Sequence, residues 1–435
     1  MEIRDPVHGS IHLLKEEEKI IKDNFFQRLR NIKQLGFSEY VFPGATHTRF
    51  LHSIGVFHIA EKAFDRLFRN KQLTSDLLRL KETFKLGCLL HDIGHAPLSH
   101  STETVMPTLG ELDIPSEFLE EGDDPSRQAS HEDYTIKSIV DSSFSEAFRD
   151  VEKRFGVKKG AIADLIRGST RDEGYFIIDG KNYFPVLHQL ISSELDCDRM
   201  DYLLRDSYFC GVSYGNYDLD WILDNLNCCE TEGKIYLGLS ERAVVTFDDF
   251  LLSRYHMFLM VYFHYRPVCL EQLLYRYFKT SPNEYTIPAD IEDYQNHDDH
   301  FLLKHLRNSS NKYAAKIIKN EIPQKIFESF NPTQLNKLEE IQIFLEKNDI
   351  DFIRCSSSGR LSKYYSSGET PTHRYPLKVF RKLHSSNSSS LVDINQATDL
   401  FAKFSKSHAV NRLHCDLDIL QSHEKIKLTE MINQY

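Results

Sequence analysis

Through the first 280 or so residues the apolar side chains return every three or four positions, the period of an amphipathic helix, and Gly and Pro collect between the runs. Ile21, Phe25, Leu29 and Ile32 keep this spacing within 16–35, and the segments 51–68, 78–91, 187–206 and 247–277 repeat it. The pattern predicts a mainly α fold with an all-helical domain over 1–280. After about Thr280 come a polar, acidic linker, a helix-like stretch and the short β-prone runs IDFIRC, YPLKVF, LVDI and AVNRLHC. SSSG at 356–359 and SSNSSS at 385–390 read as flexible connections. A smaller C-terminal α/β domain over 281–435 is therefore expected, and no internal repeat is found.

Size and composition narrow the classes further. The 435 residues, 41% hydrophobic and 12% aromatic, suffice for two or three packed domains. The most apolar stretch, 250–265, is cut by Arg254, His256 and His264 and falls short of the ~20 apolar residues of a membrane span. MEIRDPVHGS lacks the basic start and apolar run of a signal peptide, so a cytoplasmic protein with reduced thiols is expected. Eight cysteines are scattered, without the CxxC or Cys–His spacing of a structural zinc site. A net charge of −11 argues against a protein that coats polyanions. Residues 301–435 nevertheless hold 20 Lys and Arg against 14 Asp and Glu, which leaves a local nucleic-acid contact open.

The segment CLLHDIGHAPLSH, 88–100, carries the chemistry: an apolar helix ends in His91–Asp92, and His95 follows one turn later. A His–Asp pair alone means little, and His297–Asp298, inside the acidic run DYQNHDDH, reads as a solvated linker. His91–Asp92 has company. TRFLHSIG puts Arg49 and His52 three residues apart, and SSELDCDRMDYLLRD offers Asp198, Tyr202 and Asp206 at four-residue steps. Two imidazoles and two carboxylates would suit Fe²⁺, Mn²⁺, Ni²⁺, Zn²⁺ or a similar ion, while each residue taken singly could be structural. Arg254 and Tyr262, eight residues apart, are expected on one helical face as a shared pocket wall.

Taken together, RFLHSIG, HDIGHAPLSH, the HE at 131–132 and DCDRMDYLLRD resemble the HD-domain metal-dependent phosphohydrolases. DPVHG, FQRLRNIKQLG and VFPGATHTRFLHSIGV narrow the resemblance, over about 4–270, to the deoxynucleoside triphosphate triphosphohydrolases, here with no SAM domain expected ahead of it. The resemblance implies hydrolysis of a deoxynucleoside triphosphate at the α-phosphorus to deoxynucleoside and tripolyphosphate. A divalent ion (Mn, Fe, Ni, Zn or Mg) would activate water. By the same resemblance His52, His91, Asp92 and Asp198 hold the metal, and His95, His100, Glu103 and His131 form an acid–base shell in which His95 or His131 protonates the leaving oxygen. Arg49, Arg199 and Arg254 face the triphosphate. Gln34, Leu35, Tyr202 and Tyr262 line a sugar pocket closed to a 2′-hydroxyl, and Asp206 takes the 3′-hydroxyl.

The resemblance further implies a homo-oligomer, dimer or tetramer, activated by a guanine nucleotide at Asp23, Gln27, Arg30 and Arg242. Phe258 stands where animal members of the family have a His, Arg199 and Tyr265 where they have Lys, and the Lys expected before DPVHG is missing, so weak activation is expected. Arg30 could instead pair with Asp23 on one helical face. The rival readings are an HD enzyme acting on a nucleoside monophosphate or cyclic nucleotide, and a non-catalytic nucleotide sensor.

Overall fold

Helices make up most of the chain before residue 280, and several begin where a side chain can occupy the free N–H groups of the first turn. Thr74 accepts from Leu77 N at 3.3 Å ahead of Ser75–Leu90. Ser130 and Asp133 exchange such bonds at the head of His131–Val140, and Asp196 accepts from Arg199 N at 2.8 Å ahead of Cys197–Cys210. The computed structural model describes residues 1–119, 122–330, 334–359, 377–382, 389–398, 400 and 408–433.

Three expected helices are broken, each where a polar residue starts a second one. The 16–35 run splits into Lys15–Lys22 and Asn24–Arg28, because Asp23 is extended (φ −66°, ψ 147°) and its carboxylate accepts from Phe25 N at 3.0 Å. The 187–206 run splits into Phe184–Ile191 and Cys197–Cys210, with Ser193 N held by Asp196 at 2.9 Å. Val244–Met257 and Tyr265–Thr280 replace the third, joined by a wide turn, Phe258–Tyr262, in which Phe263 N reaches back five residues to Phe258 O at 2.8 Å.

The region up to 280 is not wholly helical. The strands β1 (Glu2–Asp5) and β2 (Gly9–His12) form a hairpin, and β3 (Ile177–Ile178), β4 (Lys181–Asn182), β5 (Leu226–Thr231) and β6 (Lys234–Ser240) lie in a second sheet. Of the later strands, β7 (Gln324–Ser329), β8 (Phe352–Gly359) and β11 (His408–Cys415) make a three-stranded antiparallel sheet with β11 in the middle. β9 (Lys378–Lys382) instead pairs in parallel with β6, carrying β10 (Ser389–Asp393) with it. SSSG at 356–359 is therefore strand and not a flexible connection. Of SSNSSS, Ser389 and Ser390 start β10 and 385–388 lie outside the described residues, as do Tyr375 and Pro376 of YPLKVF.

One buried cluster joins Ile20, Phe25 and Phe57 to Leu270, Leu302 and Ile317, so the chain after 280 shares the core of the helices before it. A separate cluster, with Ile326, Leu338 and Leu413, underlies the C-terminal sheet. DYQNHDDH is packed, contrary to its reading as a solvated linker. His297 is 8% exposed with its ring 4.3 Å from Phe301, and Asp298 caps the Asp299–Asn308 helix by accepting from Phe301 N at 2.9 Å. No helix among the described residues is long and apolar enough to cross a membrane.

Candidate active site

His52 sits one turn into Arg49–Leu67, His91 and Asp92 come directly after the last turn of Ser75–Leu90, and Asp198 lies in the first turn of Cys197–Cys210. These ends converge. Asp198 Oδ1 lies 3.0 Å from His52 Nε2 and 3.6 Å from His91 Nε2, while Asp92 Oδ1 is 3.3 Å from His91 Nε2 and Asp92 Oδ2 is 3.7 Å from His52 Nε2. A cation fits this set on the evidence of the rings themselves. His52 Nδ1 is 2.8 Å from Asp201 Oδ2 and His91 Nδ1 is 2.8 Å from Cys88 O, which turns both Nε2 atoms inward, buried and aligned for no hydrogen bond. Burial opposes a proton on His52, but Asp198 and Asp201 outweigh it and hold its pKa up at about 10; the same negative field would draw a metal ion.

His95, His100, Glu103 and His131 gather beside this centre. The His95 and His131 rings stack with centroids 3.9 Å apart, and His95 Nε2 lies 3.2 Å from Asp92 Oδ1. Glu103 bridges His131 Nδ1 at 2.5 Å and His100 Nδ1 at 3.0 Å. Burial pushes the Glu103 carboxyl upward, yet the two imidazoles bring it down to about 2. Burial, with Arg49 and His131 adding to it, holds His95 well below the usual imidazole range.

The loop that carries these groups is held by residues the sequence did not single out. Leu98 and Ser99 take left-handed conformations (φ 54° and 59°), and the buried Asp299 carboxylate accepts from Leu98 N at 2.7 Å and Lys33 N at 2.9 Å. Arg28, 4% exposed, donates to Ile93 O at 2.9 Å, His95 O at 2.8 Å and His297 O at 2.8 Å. Arg28→Ala leaves these carbonyls unpaired and is expected to cost about 3 kcal/mol, read as a lower urea midpoint with unchanged m-value. Behind His52, Asp201 also meets His8 at 2.6 Å and Arg205, which reaches Asp5 at 2.8 Å. DPVHG thus supports the residues behind His52.

A cleft of about 420 Å³ opens on the centre and is lined by Gln34, Leu35, Tyr202, Asp206 and Tyr262 as well as Asp92, Asp198 and the three shell histidines. Tyr262 OH donates to Asp206 Oδ2 at 2.7 Å, and Asp206 Oδ1 lies 2.8 Å from His47 Nε2. Phe258 and Arg49 also face the cleft. Arg49 bonds Asp92 and, at 2.9 Å, Ser99 Oγ. The other two arginines are not in the lining: Arg199 bonds Asp196 and Ser193 O, and Arg254 pairs with Glu194 at 3.2 Å. The wide turn between Arg254 and Tyr262 breaks the two-turn register expected of them, and the Arg254 guanidinium lies over the Phe258 ring, 5.4 Å from its centroid.

The Asp23, Gln27 and Arg30 group lies on the short Asn24–Arg28 helix and its flanks. Arg30 donates to Gln27 Oε1 at 2.7 Å rather than pairing with Asp23, and Gln27 donates to Ile21 O at 2.6 Å. Arg242 donates to Asn225 Oδ1 at 2.9 Å.

Residues 49–206 match the HD domain family model. The chain belongs to the HD-domain phosphohydrolases. Proteins named deoxynucleoside triphosphate triphosphohydrolases are among the relatives it resembles over part of their length. It is 30% identical over 338 residues to an uncharacterized protein of Methanocaldococcus jannaschii, an alignment covering 78% of this chain and 62% of the relative. The deoxynucleoside triphosphate triphosphohydrolase SAMHD1 homolog of Dictyostelium discoideum is 33% identical over 215 residues, 48% of this chain and 37% of that one. A crystal structure of a hypothetical protein from Aquifex aeolicus superposes with a TM-score of 0.72 at 26% identity, covering 100% of both chains.

Proposed function

We propose that this protein hydrolyses deoxynucleoside triphosphates to deoxynucleoside and tripolyphosphate. One observation carries the reading: the Tyr202, Tyr262 and Asp206 pocket and the His52, His91 and Asp198 centre open on the same cleft. A nucleotide whose phosphates lie at the centre then presents its sugar to the two tyrosines. His52, His91, Asp92 and Asp198 would hold a divalent ion, which would supply Lewis acidity to lower the pKa of water and to offset charge on the phosphoryl oxygens. Arg49 adds a fixed positive charge at the same edge. Water, giving up one proton to solvent, adds to the α-phosphorus, the bond to O5′ breaks, and His131, oriented by Glu103, delivers the proton that O5′ needs. His131 suits this better than His95, whose burial beside Arg49 disfavours the protonated ring.

The test incubates the protein with Mn²⁺ and each dNTP and NTP and resolves the products by ion exchange. In ¹⁸O water the label should enter tripolyphosphate and not the nucleoside. Orthophosphate as the first inorganic product would favour the second reading, a monophosphate or cyclic nucleotide substrate. The pairing of Arg199 with Asp196 and of Arg254 with Glu194 speaks for that smaller phosphate load.

The same pocket should govern the choice of sugar. A 2′-hydroxyl against the Tyr202 and Tyr262 rings loses water without finding a partner, so dATP should exceed ATP in kcat/KM by about 10²-fold, and Tyr262→Ala should narrow the gap. Equal values for the two nucleotides in the wild type would remove the pocket assignment. Asp23, Gln27 and Arg30 keep a guanine-reading pattern while Tyr265 removes a cation, so GTP is expected to stimulate an oligomeric enzyme only modestly over its basal rate. Initial rates on a second dNTP with and without GTP check this; total dependence on GTP contradicts it.

A further inference from the structure

Three side chains from distant segments meet on the far side of the cleft wall. Cys269 lies in the Tyr265–Thr280 helix, Cys355 on β8 and His414 on β11. All three are fully buried, and both Sγ atoms and one ring nitrogen of His414 lie within 4.8 Å of one another. The sheet register explains the meeting. Cys355 opposes Arg412 and Ile353 opposes His414, so Cys355 and His414 are diagonal neighbours on one face, the face that packs on the helix. On that helix Pro267 and Glu271 line the cleft, and Cys269, midway between them in sequence, points away from it toward the sheet.

The orientation of the imidazole says what the group can take. His414 Nδ1 lies 3.2 Å from Pro323 O, and since a carbonyl only accepts, Nδ1 carries the proton. Nε2 then presents a lone pair toward two thiols and has no hydrogen-bond partner, a costly arrangement for a fully buried atom.

We propose that Cys269, Cys355 and His414 form a second metal site, taking Zn²⁺ through two thiolates and one imidazole and fastening the C-terminal sheet to the helix that walls the cleft. Soft sulfur donors with imidazole select zinc over the harder ions that carboxylates prefer. Ligation releases the two thiol protons and satisfies His414 Nε2. No sequence spacing announces the site because its ligands lie in three separate segments.

Cobalt tests it without interference from the HD centre, which has no sulfur ligand. Full-length protein, purified under reducing conditions, is stripped of metal and titrated with Co²⁺. An intense thiolate-to-cobalt charge-transfer band, saturating at one equivalent per chain and displaced by Zn²⁺, is expected. Cys355→Ser and His414→Gln should lose or shift it, and His91→Ala should keep it while binding less total metal. The wild-type spectrum decides even where a variant does not fold: absence of the band overturns the proposal, as does a band that survives Cys355→Ser unchanged. A Cys269–Cys355 disulfide found by mass spectrometry in protein kept reduced throughout would likewise overturn it.

Discussion

Replacing His91 by alanine is expected to strip the HD-centre metal and reduce dNTP hydrolysis to background. His91 contributes an inward Nε2 whose direction is fixed by the bond between Nδ1 and Cys88 O, and no neighbour can replace it. Asp201→Asn keeps the four proposed ligands but weakens the partner that orients His52, along with its bonds to His8 and Arg205, and should cost roughly 10–100-fold in metal affinity or activity. Elemental analysis beside initial rates separates the two variants. Active wild-type protein without bound metal, or a His91→Ala protein that keeps its HD-centre metal and its rate, would falsify the four-residue centre.

Gly94→Ala should be nearly as damaging although the added carbon bears no chemistry. That carbon would stand 2.2 Å from His131 O and 2.2 Å from Thr135 N, backbone atoms that no side-chain rotation can move. The close approach is used: Gly94 N donates to Thr135 Oγ1 at 3.0 Å, and Thr135 Oγ1 donates to His91 O at 3.2 Å. The variant is expected to lose about 3 kcal/mol or more and to displace His131 from His91, so activity falls even where the protein stays folded. Gly174→Ala, whose added carbon meets only the Asp172 side chain at 3.5 Å, should stay within about 0.5 kcal/mol. Urea denaturation of both variants, with activity measured below the transition, gives the comparison.

The helical character and the candidate ligands that the fold brings together were legible because both depend on short-range spacing. His52, His91 and Asp198 each stand at a helix end inside a run of recognisable composition. Asp299 and Arg28 were not legible, because they act through backbone N–H and C=O groups, and which backbone a side chain reaches is decided by tertiary packing. The same gap explains the arginines. Arg199 and Arg254 have the charge for a triphosphate, but Asp196 and Glu194, three and sixty residues away in sequence, are their partners in the folded chain. Helix breaks at Asp23 and at 192–196 were hidden because apolar periodicity continues across a cap that costs only one or two residues of register. Strands β3 and β4 are two residues each and leave no pattern, whereas β6 alternates Ile235, Leu237 and Leu239, a period-two signal that the helical reading passed over.

The wide turn at Phe258–Tyr262 makes residue count itself a determinant of the cleft. Such a turn is an α-helix carrying one surplus residue, and each residue rotates the rest of the helix by about 100°. Removing any one of Phe258, Leu259, Met260 or Val261 would let the helix close normally and swing the Tyr262 hydroxyl off Asp206. A lineage could therefore gain or lose this tyrosine wall by a single codon insertion or deletion, with every amino acid of the metal centre left in place.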